Sequence, residues 1–374
     1  MKRKILALLG SAALLTGALG SSVVAAQDLP PLATLPSPAI PADNPMTAEK
    51  VELGKKLFWD GRLSGNGAMG CVACHQPDLG WGTGGAISLG YPGTQHWRNS
   101  QTILNSAYYN KLFWEGSVTS LESQAPGAAG GAVAGNGDGS MMEMKLRFVP
   151  EYVAGFRQVF GTDWPHIAQA WQAIAAFQRT LVTDPAKVPF DRFLAGDQTA
   201  LTDAAKRGKE LFEGKGGCLS CHNGALASDE RYYKLGVPAA PEFGQDPLYQ
   251  ISLRWELYQK GMPEAVYRAG DDDLGLYHKT KRPDDKGKFR TPSLRELRWT
   301  DPYMHNGIFA TLANVVDFYD GGGGEGNTVL KPLGLSQEEK ADLVAFLEAL
   351  SMDEPLLMDE PELPKTATWA EFPK

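Results

Sequence analysis

Gly54-Lys55-Lys56-Leu57-Phe58 followed by Cys71-Val72-Ala73-Cys74-His75, and Gly208-Lys209-Glu210-Leu211-Phe212 followed by Cys218-Leu219-Ser220-Cys221-His222, repeat one order of features within a single chain. Each unit sets a Gly-Lys-x-Leu-Phe run ahead of a Cys-x-x-Cys-His motif, and the second motif begins 147 residues after the first. A Cys-x-x-Cys pair alone suits a redox dithiol or half a zinc site, but the adjoining histidine, present both times, is the pattern of c-type haem attachment. Two thiols three positions apart can reach both vinyl groups of one haem as thioethers, and the next imidazole is carried under the iron. Cys71, Cys74 and His75, then Cys218, Cys221 and His222, are therefore the expected attachment and proximal residues of two covalent haem c groups. The chain has four cysteines, so none is left over for a disulfide.

The repeat predicts two related haem domains in tandem. Helical spacing dominates and strand-like alternation is scarce, so the expected fold is mainly α, with two class-I-cytochrome-c-like haem domains in series. The first occupies 46–183 and the second 184–352. Near the end of the first, Ile167, Ala170, Trp171, Ile174, Phe177 and Leu181 recur at helical spacing and read as core packing. The second closes with a helix opened by a capping box, Ser336 with Glu339. Residues 27–45 are rich in proline and alanine and read as an extended lead-in. Pro126 to Ser140 reads by composition as a flexible loop, and 353–374 as an acidic tail wrapping the surface.

Met1-Lys2-Arg3-Lys4, an apolar run from Ile5 to Gly20 and Val24-Ala25-Ala26 form a signal peptide over 1–26, which predicts export to the periplasm. Its removal leaves 348 of 374 residues, enough for two cores. The leader holds three basic and no acidic residues, so the remaining balance is 33 against 44, a net charge of −11. Such a surface argues against nucleic acid and anionic membranes and favours a cationic partner.

The two spaced Cys-x-x-Cys-His motifs, the Gly-Lys-x-Leu-Phe leads and the later Thr300-Asp301-Pro302-Tyr303-Met304-His305-Asn306-Gly307 resemble the bacterial di-haem cytochrome c peroxidase superfamily. Arg98-Asn99, Phe113-Trp114-Glu115-Gly116, Phe190 to Leu194 and Thr291 to Arg295 extend the likeness over nearly all of the exported chain. The resemblance implies that His75 serves a peroxidatic haem and His222 an electron-transfer haem, with Trp114 between them.

At the second haem the family's methionine ligand falls 17 residues after the Thr-x-Pro proline. Counting from Pro302 gives Tyr319, which resembles the MauG branch, with Met304 the alternative sixth ligand. Oxygen ligation favours higher oxidation states than a thioether does. At the first haem the family's capping histidine falls eight residues before Asn99, where this chain has Tyr91. An open peroxidatic haem is the expectation, with His96 the nearby alternative cap. Peroxide cleavage needs a group that moves a proton between the two oxygens. The resemblance assigns this pocket to Gln124, ten residues after Trp114, and to Glu143, with Glu122 as fallback. It also implies a calcium ion held by Asn99, Thr300 and Pro302, an all-oxygen set that suits a hard cation.

The expected activity is MauG-like: hydrogen peroxide forms high-valent haem iron, which oxidises a protein or electron-donor substrate. The alternative is peroxide detoxification with electrons from a small cytochrome c or cupredoxin. A third reading is a non-enzymatic di-haem electron carrier. The oligomeric state and the donor's identity stay open.

Overall fold

The computed structural model describes residues 29–91 and 93–368, and the expected signal peptide lies outside them. No helix among the described residues is long and apolar enough to cross a membrane.

Helix α1 (Ala48–Trp59) starts where Thr47 Oγ1 accepts from Lys50 N at 3.2 Å. It stops at buried Asp60, whose carboxylate takes Arg62 N at 2.9 Å and the Tyr152 hydroxyl at 2.6 Å. Then come α2 (Leu121–Ala129), α3 (Gly139–Arg147), α4 (Pro150–Phe160), α5 (Ile167–Gln178), α6 (Pro189–Leu194) and α7 (Asp203–Glu213). After these follow α8 (Pro247–Gln259), α9 (Glu264–Arg268), α10 (Tyr277–Thr280), α11 (Leu312–Asp320) and α12 (Gln337–Glu348). Among the described residues the sole sheet is an antiparallel ribbon of β1 (Tyr232–Tyr233) and β2 (Phe289–Arg290), with Tyr232 opposite Arg290 and Tyr233 opposite Phe289. The molecule is mainly helical, as its sequence patterning predicts.

The repeated glycine has the same physical cause in both units. A Cβ at Gly54 would stand 1.9 Å from the Ala173 carbonyl oxygen of α5, and one at Gly208 would stand 2.0 Å from that of Asp342 in α12. Helices α1 and α5, and again α7 and α12, therefore cross in backbone contact that only glycine admits. The flanking apolar residues complete a core on each side. Leu57, Phe58, Ile174 and Phe177 lie in one cluster, and Phe212, Leu343, Phe346 and Leu347 in another. Each such side chain contributes about 1.5–3 kcal/mol of burial free energy. A third cluster packs Tyr249, Leu253 and Leu257 of α8 against Trp97 and Tyr277.

The Ser336–Glu339 capping box forms, with Glu339 N donating to Ser336 Oγ and Ser336 N to Glu339 Oε2. Leu181 is buried as expected but lies beyond the end of α5. The expectation of a flexible loop over Pro126 to Ser140 is corrected. Helix α2 runs on to Ala129, α3 begins at Gly139, and between them Gly130, Gly135 and Gly137 donate backbone hydrogen bonds to Pro126, Ala128 and Ala129. Small residues let these turns pack tightly without helical periodicity, which is why composition alone suggested slack chain.

The ends of the chain are exchanged between the two cores. Leu32 of the lead-in joins the cluster of Phe212 and Phe346, and the Ala33 carbonyl accepts from Arg295 Nη2 at 2.5 Å. The tail lies on the other side: the Leu356 carbonyl accepts from Trp81 Nε1 at 2.7 Å, and Ala367 N donates to Phe148 O at 2.7 Å.

Candidate functional site

Both Cys-x-x-Cys-His motifs fold as a short 3₁₀ turn, with His75 N donating to Cys71 O at 3.1 Å and His222 N to Cys218 O at 2.9 Å. The turn gathers two thiols and one imidazole at the wall of a shared cavity. Each histidine then sets Nδ1 on a main-chain carbonyl, Trp81 O at 3.2 Å for His75 and Ala227 O at 3.1 Å for His222. Such a bond fixes the tautomer and leaves Nε2 to bind a metal. Burial pushes His75 down to about 4 and lowers His222 as well, so both imidazoles are neutral at physiological pH. Burial pushes the Cys71 thiol up to about 12 and Cys218 up to about 11. None of the four cysteines is paired in a disulfide, and the raised values of these two are the opposite of the activated thiolate of a redox dithiol.

One continuous cavity of about 1360 Å³ reaches both motifs. A single small-molecule site occupies roughly 300–1,000 Å³. Its walls include Ile103, Leu121, Ile174, Leu312, Val316 and Leu347, aliphatic surface suited to a porphyrin face. The glycine- and alanine-rich turns after α2 line it too, through Gly131, Ala134 and Gly135, where larger side chains would fill the space. Thiol pairs, oriented neutral imidazoles and a large apolar chamber all fit two covalent haem groups.

Of the residues expected at the site, Gln124, Trp114, Tyr319, Met304, Asn99, Thr300, Pro302 and His96 line this cavity. Trp114 is held by its indole N–H, which donates to Asn99 O at 2.9 Å, and its ring meets that of His305 edge-on with centroids 6.3 Å apart. Tyr319 shares a face of α11 with buried Leu312 and Val316. Lys340 clamps the end of that helix through Asp317 at 2.9 Å and Asp320 at 2.8 Å. Burial, followed by the nearby Cys218 and Cys221, raises the Tyr319 hydroxyl above its usual range, which puts it beside the second motif. Met304 lines the same cavity from a turn with φ +74°. Asn99 spends its amide protons on the Gly85 and Ala86 carbonyls at 3.1 and 3.2 Å, leaving Oδ1 as an acceptor. His96 accepts from Arg98 N at 3.1 Å through Nδ1; burial and then the Arg98 charge push it down to about 4.

The two candidate acids fall elsewhere. Glu143, assigned as the proton-moving acid, does not line the cavity. Helix α3 turns it toward the start of α5, where it accepts from Ile167 N at 2.8 Å and Trp164 Nε1 at 3.0 Å. A carboxylate is favourable at that positive helix end. Its fallback Glu122 is likewise engaged, with Asn44 Nδ2 at 2.8 Å and Arg179 at 2.7 Å. Tyr91 packs its ring over Gly65, outside the cavity wall.

Sequence reading missed a buried charge cluster at the cavity edge. Arg98 binds Asp273 with Nε at 2.5 Å and Nη2 at 2.9 Å, pairs with Glu115, and stacks 3.8 Å from the Trp97 ring. Burial alone would raise both carboxyls, but Arg98 holds Glu115 and Asp273 below the usual carboxylate range. Asp273 sits in the run Asp271-Asp272-Asp273, which looks like a solvated acidic stretch, so only its distant partner gives it away. Ser106 and Gln178 also line the cavity without a motif to flag them, and so does His305, which the Thr300–Gly307 motif contains but to which no role was assigned.

Residues 48–199 match the family model described as di-haem cytochrome c peroxidase. Over 365 residues the chain is 63% identical to cytochrome-c peroxidase IdrP1 of Denitromonas iodatirespirans, covering 97% of this chain and 96% of that one. It is 36% identical to the methylamine utilization protein MauG of Methylorubrum extorquens over 328 residues, 87% of this chain and 84% of that one. A solved MauG-like protein associated with microbial copper homeostasis superposes with a TM-score of 0.70 at 30% identity, over 85% of this chain and 94% of that one. The chain belongs to the di-haem cytochrome c peroxidase family: it is a di-haem peroxidase, and membership implies two haem c cofactors.

Proposed function

We propose that the protein reduces hydrogen peroxide to water at the His75 site, with electrons relayed from the His222 site past Trp114. The observation that supports this is the single cavity, which holds both motifs and Trp114 in one enclosure. Each haem, when bound, supplies an iron that exchanges electrons one at a time. The chain's own residues do the rest. His75 and His222 are the proximal ligands, Cys71, Cys74, Cys218 and Cys221 the thioether attachments, and Gln124 a hydrogen-bonding wall for peroxide. In sum, one peroxide, two electrons and two protons give two waters. The electrons come from a small redox protein, a cytochrome c or cupredoxin. We further assign the two haem units to 46–183 and 184–352, a periplasmic location after loss of 1–26, and a calcium ion to Asn99, Thr300 and Pro302.

Tyr319 favours a second reading, in which the electrons would come from an oxidisable residue of a partner protein. An oxygen ligand there stabilises the higher oxidation states that such chemistry needs. One experiment separates the readings. The ferric protein is mixed with one equivalent of peroxide, followed by its absorption spectrum, and then given reduced cytochrome c or cupredoxin. Peroxidase action predicts rapid oxidation of the donor by the wild type, and slowed intersite transfer in Trp114→Phe. A peroxide-oxidised protein that ignores these donors supports the second reading, and one that does not react with peroxide at all sinks both.

A further inference from the structure

Arg98 gathers two carboxylates at the cavity wall and leaves a third without a partner. Its Nε and Nη2 take Asp273, and its Nη1 takes Glu115. Glu256 of α8 lines the same cavity and is 8% exposed, yet its carboxylate has no hydrogen bond or ion pair among the described residues. The enclosed atoms without a partner belong to Ser106, Gln178, Arg179, Ser252 and His278, so the Glu256 oxygens are not sealed in and open onto the cavity. A buried carboxylate with no partner is costly in its charged form.

Helix α8 turns Leu253 and Leu257 toward the cluster of Trp97 and Tyr277, and Glu256 lies on that inward side. The charges that reach it are Lys260, one turn on along α8, and Arg98 and Glu115 from the facing wall. Asn99 follows Arg98 and takes the Trp114 indole N–H, while Glu115 follows Trp114. Glu256 thus faces the part of the wall to which Trp114 belongs. Burial raises its carboxyl above the usual carboxylate range; Lys260 and Arg98 work against that, and Glu115 adds to it.

We infer that Glu256 is a redox-linked proton site, whose carboxylate binds a proton from solvent when the haem pair gains an electron and returns it when the electron leaves. The inference rests on the two haem sites assigned to the cavity, and not on which oxidant they serve. An added electron is a negative charge in the space that Glu256 faces, and a like charge disfavours the ionised carboxyl. The coupling is reciprocal, so a proton on Glu256 makes the haem easier to reduce. One electron from the small redox protein and one proton from water enter together: a haem is reduced, the carboxylate becomes the neutral acid, and the cavity's net charge stays the same. When peroxide takes the electron back, Glu256 gives up its proton, which supplies one of the two that form the two waters.

The test is a spectroelectrochemical titration of the haem-loaded full chain, without peroxide, giving both potentials across about pH 4 to 9. In the wild type at least one potential should fall by about 59 mV from the acid to the alkaline end, a tenfold coupling. Glu256→Gln is fixed in the neutral form and should keep the acid-side potential throughout. Glu256→Asp restores a titrating group and should restore the fall. Asp272 also lines the cavity, and burial pushes it up to about 6, so Asp272→Asn serves as the comparison and should leave the fall in place. Proton uptake on reduction, followed with an indicator dye in weak buffer, should drop in Glu256→Gln and not in Asp272→Asn. Glu256→Gln removes a buried charge without a partner, so its melting temperature should not fall, which separates the effect from misfolding. Wild-type potentials that do not move with pH, or a fall that survives in Glu256→Gln because Asp272 or the haems' own carboxylates carry it, would overturn the inference. A protein that ignores peroxide sinks the proposed function and leaves this result standing.

Discussion

His75 and His222 share a small device, the Nδ1 bond to a carbonyl a few residues downstream, that a motif search does not contain. The motif names the ligand; the local turn aims it. Tyr319 shows the reverse case, since counting from Pro302 found it and α11 brings it to the cavity. Tyr319→Met should raise the second haem's reduction potential and add weak absorption at the red end of the spectrum, checked by a spectroelectrochemical titration. Glu143→Gln should leave the peroxide reaction within twofold of wild type and cost on the order of 1 kcal/mol in stability, since it weakens the contact at the start of α5. His305 is buried, stacked 3.8 Å from Phe289, and pushed by burial down to about 4. Its folded value lies below its unfolded one of about 6.5, so its neutral form stabilises the fold fully above pH 6.5. That contribution, about 3 kcal/mol, is lost as pH falls from 6.5 to 4. His305→Gln should flatten this part of a melting-temperature profile.

At the scale of elements, the repeated Gly-Lys-x-Leu-Phe run was legible as a repeat, but its reason was not. Glycine is needed because α1 meets α5, and α7 meets α12, with no room for a Cβ. Gly54→Ala and Gly208→Ala should each cost roughly 2–4 kcal/mol, read by thermal melting, because a carbonyl 2 Å away belongs to backbone that cannot step aside. The stretch after Pro126 was misread for the opposite reason. Its residues are too small to show a period, yet small residues are what allow tight turns to line the cavity beside α2.

For the molecule as a whole, charge spoke only to partners, helical periodicity carried the mainly helical fold, and two short motifs marked the expected haem attachments. What spacing could not convey is how the ends are used. The lead-in packs with the core around Phe212, and the tail closes over the core around Phe58, where Leu356, Met358 and Leu363 add apolar cover. Removing residues 355–368 should expose Trp81 and lower the melting temperature by several degrees, seen as red-shifted tryptophan emission, since the Trp81 indole loses the Leu356 carbonyl and its apolar neighbours.

That crossed arrangement also orders events in time. A ribosome delivers the His75 motif well before Leu356, the residue that covers its surroundings. Until Leu356 is in place, the indole N–H of Trp81, whose own carbonyl bonds His75 Nδ1, lacks this acceptor. A chain cut between the two thus leaves the surroundings of His75 without one of their covers.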